Sequence, residues 1–412
     1  MITPGRPFCA ALALLLGVCF GALPPGFVRA QAQRPPRGLP AATPISTGAI
    51  DKADVRDFIK RMGPTPVNAV EGDRYVAVLK NDVKITYTFN RRLQRTMALY
   101  LEKHRSVQHA AFVAVEPATG RVLALVSYSR PKGERKRPAA LRASFPAASI
   151  FKIVTVAAAL QEKKITPETV IRFRGGYWAM NRSVLTDNPR RDRNHLTVER
   201  ALAKSCNHCF GKIATRFVGT SKLKAYADAF AFNYPFEFEL PVEMSRAQIP
   251  SDRYQLARTG AGFGKVYFSP LHAALLAATI ANEGRMMEPT IIEKIEDGQG
   301  RLLYSPGRRV IARPLRPAVA RQINQMMVKG VLEGTSRRAF KRFTASHPSL
   351  RVAGKTGSLR GTDPPGHNYW FIGSAPADNP TIAVAALVIP RSGRRFKGNQ
   401  VARRAFEAYF GG

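Results

Sequence analysis

Two apolar runs of strand length, Ala111–Val115 and Val122–Val126, stand early in the chain, and three more, Val352–Leu359, Tyr369–Ala375 and Thr381–Ile389, stand more than half the chain later. Short continuous apolar runs bounded by turn signals are the mark of strands buried on both faces. The first two are joined by Pro117-Ala118-Thr119-Gly120 and the last two by Pro376-Ala377-Asp378-Asn379-Pro380, both turn sequences of hairpin type. The intervening chain reads mostly as helix. Strands at both ends with helices between can bury their apolar faces together only in one sheet assembled from the two ends. The expected class is therefore α/β of the α+β type: an antiparallel sheet of about five strands flanked by helices, with an all-helical subdomain.

Helical spacing appears over Leu93–Leu101, over most of 196–280 with a polar interruption around 241–254, and over a closing segment from Gln400 to Phe410. The run Ile150–Leu160 is apolar nearly all round and belongs inside the core. Ser149 opens it.

The N-terminus carries an address. Arg6 precedes the uncharged run Phe8–Leu23, Pro24-Pro25-Gly26 breaks it, and Val28-Arg29-Ala30 puts small residues where a signal peptidase reads. Residues 1–30 are thus expected to be a secretory signal, short of the ~20 apolar residues of a membrane span but able to serve as an anchor if it stays uncleaved. The protein is then exported, to the periplasm or the outer face of the inner membrane. Residues 31–50, rich in Pro, Ala, Gly and Thr, read as a tether. The expected organisation is signal 1–30, linker and small segment 31–85, and one domain over 86–412.

The net charge is +36, from 64 Lys plus Arg against 28 Asp plus Glu. Such a field attracts polyanions. The chain has neither zinc-finger spacing nor an RNA-reading aromatic motif, so nucleic acid is not the expected partner. Cys9 and Cys19 lie in the signal segment, leaving Cys206 and Cys209. One Cys-x-x-Cys without a second pair argues for a local disulfide or two small buried thiols rather than for zinc. Gly260-Ala261-Gly262-Phe263-Gly264 lacks the preceding buried strand of a dinucleotide fold. No metal and no cofactor is expected.

The chemistry-bearing pattern is Ser-x-x-Lys, which on a helix puts an ammonium beside a hydroxyl. Serine needs a neighbouring base to act as a nucleophile, and a buried lysine among cations can be neutral enough to serve. The pattern occurs three times: Ser129 with Lys132, Ser149 with Lys152, and Ser221 with Lys224. Pro131 interrupts the first, and the third opens a polar helix where lysines stay solvated. Only Ser149 begins an apolar helix, with the free N–H groups of a first turn around it. Ser149 as a mere N-cap and Lys152 as a snorkelling cation would suffice for one match. Two more motifs follow in order: Ser205-Cys206-Asn207, the chain's sole Ser-x-Asn, and Lys355-Thr356-Gly357, its sole Lys-Thr-Gly.

Ser-x-x-Lys, Ser-x-Asn and Lys-Thr-Gly in that order form the motif set of penicillin-binding proteins and serine β-lactamases. From about Tyr87 to Phe410 the sequence resembles the transpeptidase domain of multimodular penicillin-binding proteins. Phe89-Asn90-Arg91-Arg92-Leu93-Gln94, Val113–Gly120, Phe268-Ser269-Pro270-Leu271 through Ala281–Gly284, and Trp370-Phe371-Ile372-Gly373 add to the likeness. So do the gaps, 56 residues from Ser149 to Ser205 and 150 from Ser205 to Lys355.

The resemblance implies the penicillin-binding/β-lactamase-like fold and a serine D,D-transpeptidase. Ser149 would attack a D-alanyl-D-alanine stem peptide, Lys152 would take its proton, and Ser205 would relay a proton to the leaving amine. Asn207 would bind the donor peptide. Lys355 would set the local potential and, with Thr356, Gly357 and Ser358, hold the substrate carboxylate. The N–H groups of Ser149 and Ser358 would form the oxyanion hole. Implied partners are peptidoglycan stem peptides, β-lactam antibiotics and cell-wall synthesis proteins such as a glycosyltransferase. Ser358 stands where threonine is commoner in this family, and Cys206 suggests that a Cys206–Cys209 disulfide adjusts Asn207. The alternatives are a D,D-carboxypeptidase, a β-lactamase with Glu199 as deacylating base, a non-catalytic β-lactam sensor, and an anionic-polymer binder.

Overall fold

The computed structural model describes residues 52–62, 69–79, 82–104, 106–130, 138–391 and 396–411. The expected signal segment, the tether and most of the basic loop 130–142, Lys132 included, lie outside the described residues.

The five expected strands form one antiparallel sheet. In chain order the elements before and around its first hairpin are α1 (Lys52–Met62), β1 (Ala69–Glu71), β2 (Arg74–Val78), β3 (Lys84–Tyr87), α2 (Arg91–Lys103), β4 (Val107–Val115) and β5 (Val122–Ser129). The helices α3 (Lys152–Gln161), α4 (Val198–Lys204), α5 (Asn207–Ile213) and α6 (Pro270–Ala281) follow, then β6 (Ile292–Glu296), β7 (Leu302–Tyr304), α7 (Pro317–Leu332) and α8 (Arg337–Ser346). The chain closes with β8 (Ala353–Thr362), β9 (Pro365–Ala375), β10 (Ile382–Pro390) and α9 (Gly398–Phe410). The strand order is β8-β9-β10-β4-β5, so β10 from the C-terminal end pairs with β4 from the N-terminal end, Ala385 opposite Val113.

Both faces of that sheet are covered, which explains why its strands are apolar without alternation. On β4, Ala111, Val113 and Val115 join one core with α3 and α6, while Ala110, Phe112 and Ala114 join a second with Leu93, Met97, Phe340 and Phe406 of α2, α8 and α9. Period-two side-chain geometry divides one apolar run between two cores. Strand β9 begins at Pro365 rather than near Tyr369 as expected, because its first half pairs with β8 while carrying polar side chains such as His367 and Asn368. Pairing partners, not apolarity, keep that half in the sheet.

A second five-stranded sheet, β1-β2-β3-β6-β7, was not foreseen as such. Ile85 faces Ile295 across β3 and β6, two segments far apart in sequence. Strand β3 runs through the boundary expected at residue 86, so strands β1–β3 are built into the same body as β6 and β7. These strands are three to five residues long, too short to show a period, and the β3–β6 pairing that joins them lies outside any local window. No helix among the described residues is long and apolar enough to cross a membrane.

Candidate active site

Ser149 lies in a tight helical turn, Ala148–Phe151, that runs directly into α3. Ala148 has φ +50°, a left-handed conformation costly for a residue with a Cβ, and such strain persists only where surroundings enforce it. They do so here. Gly262, at φ +97°, brings its backbone so close that an added Cβ would sit 2.2 Å from the Ala148 carbonyl oxygen. Gly357 on β8 presses from another side, where a Cβ would be 3.3 Å from the Ile150 nitrogen. The nucleophile's turn is therefore clamped between the 261–262 backbone and the edge strand of the sheet.

Every residue of α3 from Lys152 to Leu160 is buried, and Lys152 itself has no exposed surface. Its Nζ lies 2.8 Å from Ser149 Oγ, 2.8 Å from Asn207 Oδ1 and 2.5 Å from the Ala261 carbonyl oxygen. No carboxylate is among these three partners. Burial, reinforced by the nearby Lys355 charge, holds the Lys152 amine well below the usual lysine range. A neutral amine has two N–H donors and one lone pair. The two carbonyl-type oxygens take the donors, and the lone pair is left facing the Ser149 hydroxyl. That is the arrangement of a general base.

Ser205 caps α4 in the left-handed conformation, φ 58°, and the chain turns at once into α5, which begins with Asn207. Ser205 thus follows one helix and precedes the next, as the apolar run Val198–Leu202 before it implies. Its hydroxyl is 2.9 Å from Lys355 Nζ, which also donates to the Thr356 carbonyl at 2.8 Å. Burial lowers the Lys355 amine to about 7. Asn207 is fixed at both ends of its amide: Oδ1 accepts from Lys152, and Nδ2 donates to the Trp178 carbonyl at 2.8 Å. Its backbone N–H donates to the Tyr177 carbonyl. Cys206 and Cys209 form a disulfide across this turn and are wholly buried.

A cavity of about 420 Å³ opens on these groups, with Ser149, Ser205, Asn207, Thr356, Gly357 and Ser358 on its walls. The competing motifs are elsewhere employed. Lys224 is exposed and paired with Asp228 at 2.6 Å. Glu199 is paired with Lys329 at 2.5 Å, a structural ion pair on α4 rather than a free base.

Residues 110–410 match the family described as the penicillin binding protein transpeptidase domain. The chain belongs to that family. Among curated relatives, the peptidoglycan D,D-transpeptidase PbpA of Mycolicibacterium smegmatis is 29% identical over 323 residues, 67% of this chain and 61% of that relative. The PbpA of Mycobacterium tuberculosis is also 29% identical, over 312 residues. The chain thus spans about three-fifths of the length of the first curated relatives it matches. The crystal structure of PBPA from M. tuberculosis superposes with TM-score 0.67 at 26% identity, covering 79% of this chain and 82% of that one. A penicillin G acyl-enzyme complex of the same protein superposes at 0.63, covering 88% and 86%.

For this transpeptidase-domain protein the sequence found every motif residue that meets in the cavity. It missed the Ala261 carbonyl and the Trp178 carbonyl, because a backbone acceptor has no residue signature. Gly262 did leave a signal in Gly260-Ala261-Gly262-Phe263-Gly264, set aside as a failed nucleotide loop. Its glycine serves a close backbone approach of another kind. Thr335, 2.5 Å from Thr356 Oγ1, and His367, 2.6 Å from Ser358 Oγ, carried none.

Proposed function

We propose that the protein is a serine-type peptidoglycan D,D-transpeptidase that forms an acyl-enzyme on Ser149 from D-alanyl-D-alanine stem peptides and is acylated in the same way by penicillin. The observation that carries this reading is the Ser149 Oγ–Lys152 Nζ contact at 2.8 Å, with the lysine buried and its amine held well below the usual lysine range. Family membership and the printed names of the relatives support it.

In the proposed reaction the Ser149 oxygen attacks the carbonyl of the penultimate D-alanine while its proton passes to the Lys152 lone pair. The oxyanion is held by the Ser149 and Ser358 N–H groups. Strand β8 is the edge of its sheet, which leaves alternate N–H groups unclaimed by a neighbouring strand. Collapse breaks the peptide bond, and the departing amine takes a proton relayed by Ser205, whose hydroxyl is tied to Lys355. The amine of a second stem peptide, or water, then attacks the ester. Asn207 acts first as a holder of Lys152, with one amide hydrogen left for the donor peptide. The substrate carboxylate meets Thr356, Ser358 and the Lys355 charge. The reading places the enzyme outside the cytoplasmic membrane, in keeping with the N-terminal pattern at 1–30, where a glycan-polymerising enzyme would be its partner.

A fluorescent penicillin tests it. Wild-type protein should take a label that resists boiling in detergent and persists for many minutes, and Ser149→Ala should take none. No covalent label on the wild type would overturn the reading, and a label lost within seconds would point to a β-lactamase instead.

A further inference from the structure

His367 lies directly behind Ser358 of the cavity wall, and no motif accounts for it. Its Nε2 is 2.6 Å from Ser358 Oγ. The ring stacks on Tyr369, two residues on along β9, with centroids 4.5 Å apart and planes 25° from parallel. Lys397, at the start of α9, caps the other side of that stack with its Nζ 5.2 Å from the Tyr369 centroid. Packing therefore sets the imidazole's orientation, and the imidazole meets one partner in the cavity, the Ser358 hydroxyl.

A hydroxyl has one hydrogen. A carboxylate ligand only accepts, so Ser358 can bind one only by donating that hydrogen to it. It can do so while bonded to His367 only if Nε2 carries a proton and donates to Oγ. Ser358 also lacks the branching methyl of threonine, which would limit its side chain to fewer rotamers. Something else must hold it.

We propose that His367 is a positioning residue: its Nε2–H backs Ser358 Oγ and turns the Ser358 O–H into the cavity, toward the carboxylate of the incoming peptide or β-lactam. The inference rests on the function proposed above and adds a residue to its carboxylate subsite. The charges that bear on His367 are Arg360, its register partner on β8, and Lys397, both cationic. Burial, with Arg360 and then Lys397, holds the imidazole below its usual range in the empty site. A bound carboxylate offsets those cations and draws a proton onto the ring. Carboxylate binding should therefore tighten as the pH is lowered toward the range in which the ring takes up a proton.

The test is the concentration dependence of acylation by fluorescent penicillin, which carries a carboxylate, in wild type, His367→Phe, His367→Gln, Ser358→Ala and the double variant His367→Phe/Ser358→Ala. For His367→Phe the half-saturating concentration should rise roughly tenfold with the maximal acylation rate little changed, the loss of one charge-assisted hydrogen bond. Its pH dependence should lose the part that His367 supplies and keep the part that Lys355, near 7, supplies to every variant. His367→Gln, which can still present an N–H, should recover most of the binding, and the double variant should be no worse than Ser358→Ala. Unchanged half-saturation in His367→Phe with intact thermal stability would sink the proposal, as would losses that simply multiply in the double variant. If the phenylalanine variant does not fold, the glutamine variant decides alone: half-saturation near that of the wild type supports the proposal, and a roughly tenfold rise with intact thermal stability overturns it. These failures are distinct from failure of the wild type to label, which would refute the transpeptidase reading itself.

Discussion

Lys152 is the residue on which the chemistry turns, and its neighbourhood explains why a lysine is there. Two oxygen acceptors, Asn207 Oδ1 and the Ala261 carbonyl, fix where its N–H groups point, and burial with Lys355 holds the amine well below the usual lysine range. An arginine could reach the same acceptors but has no lone pair to offer at any working pH. Lys152→Arg should lower the penicillin acylation rate by about a thousandfold or more, measured by stopped or quenched labelling, while leaving the melting temperature within a few degrees. In the wild type the rate should fall as the pH is lowered far enough to protonate the amine, and a rate that instead rises on acidification would argue against Lys152 as the base. Glu199 gives the complementary test. Because it is held by Lys329, Glu199→Gln should leave the lifetime of the penicillin adduct unchanged. A longer-lived adduct would make Glu199 a deacylating base after all.

Two elements hold that geometry, the backbone at 261–262 and the α4–α5 junction. At the first, Gly262 sits where a Cβ has no room and φ is +97°. Gly262→Ala must move the Ala148 carbonyl, and with it the nucleophile's turn; the expected cost is on the order of 3 kcal/mol in chemical denaturation, with labelling reduced further than stability alone explains. Behind the second, Lys212 of α5 is 1% exposed and bridges to Asp192, 2% exposed, at 2.7 Å, and to Asp187 at 2.8 Å. Removing one partner of a buried pair leaves an uncompensated charge, so Lys212→Met should cost about 3–5 kcal/mol, and the double variant Lys212→Met/Asp192→Leu markedly less. Equal losses in the two would mean that packing, not charge, is what Lys212 supplies. These elements also mark how far the sequence could be read. The apolar α3 and the two ends of the main sheet were legible because burial on both faces writes itself into consecutive residues. The β3–β6 pairing and the 261–262 clamp were not, since their roles come from partners some two hundred and one hundred residues away in the chain.

Across the whole molecule, buried bases dominate the response to pH. Burial, reinforced by the Lys212 charge, pushes His208 down to about 4, and neither of its ring nitrogens has a hydrogen-bond partner among the described residues. Burial likewise pushes His272 to about 4, opposed in part by its bond to the Phe230 carbonyl. In the unfolded chain both would titrate near 6.5. Between about pH 4 and 6.5 the unfolded state therefore binds more protons than the folded one, and stability must rise with pH across that window. Lys355, lowered to about 7 against an unfolded value near 10.5, works in the same direction from about pH 7 upward. A net charge of +36 adds to the effect, because a compact body concentrates like charges that an extended chain separates. The urea midpoint should therefore climb steadily from pH 4 to 6.5. Raising sodium chloride from 50 to 500 mM should recover part of the loss at pH 4.5, where self-repulsion is greatest and screening shortens its range to a few ångströms. The two contributions separate by experiment: salt acts on the repulsion between exposed charges, whereas His208 and His272 bind their protons only on unfolding and leave a pH slope that salt does not remove. A midpoint flat in pH from 4 to 6.5 at high salt would show that these histidines are protonated in the folded protein, contrary to their burial.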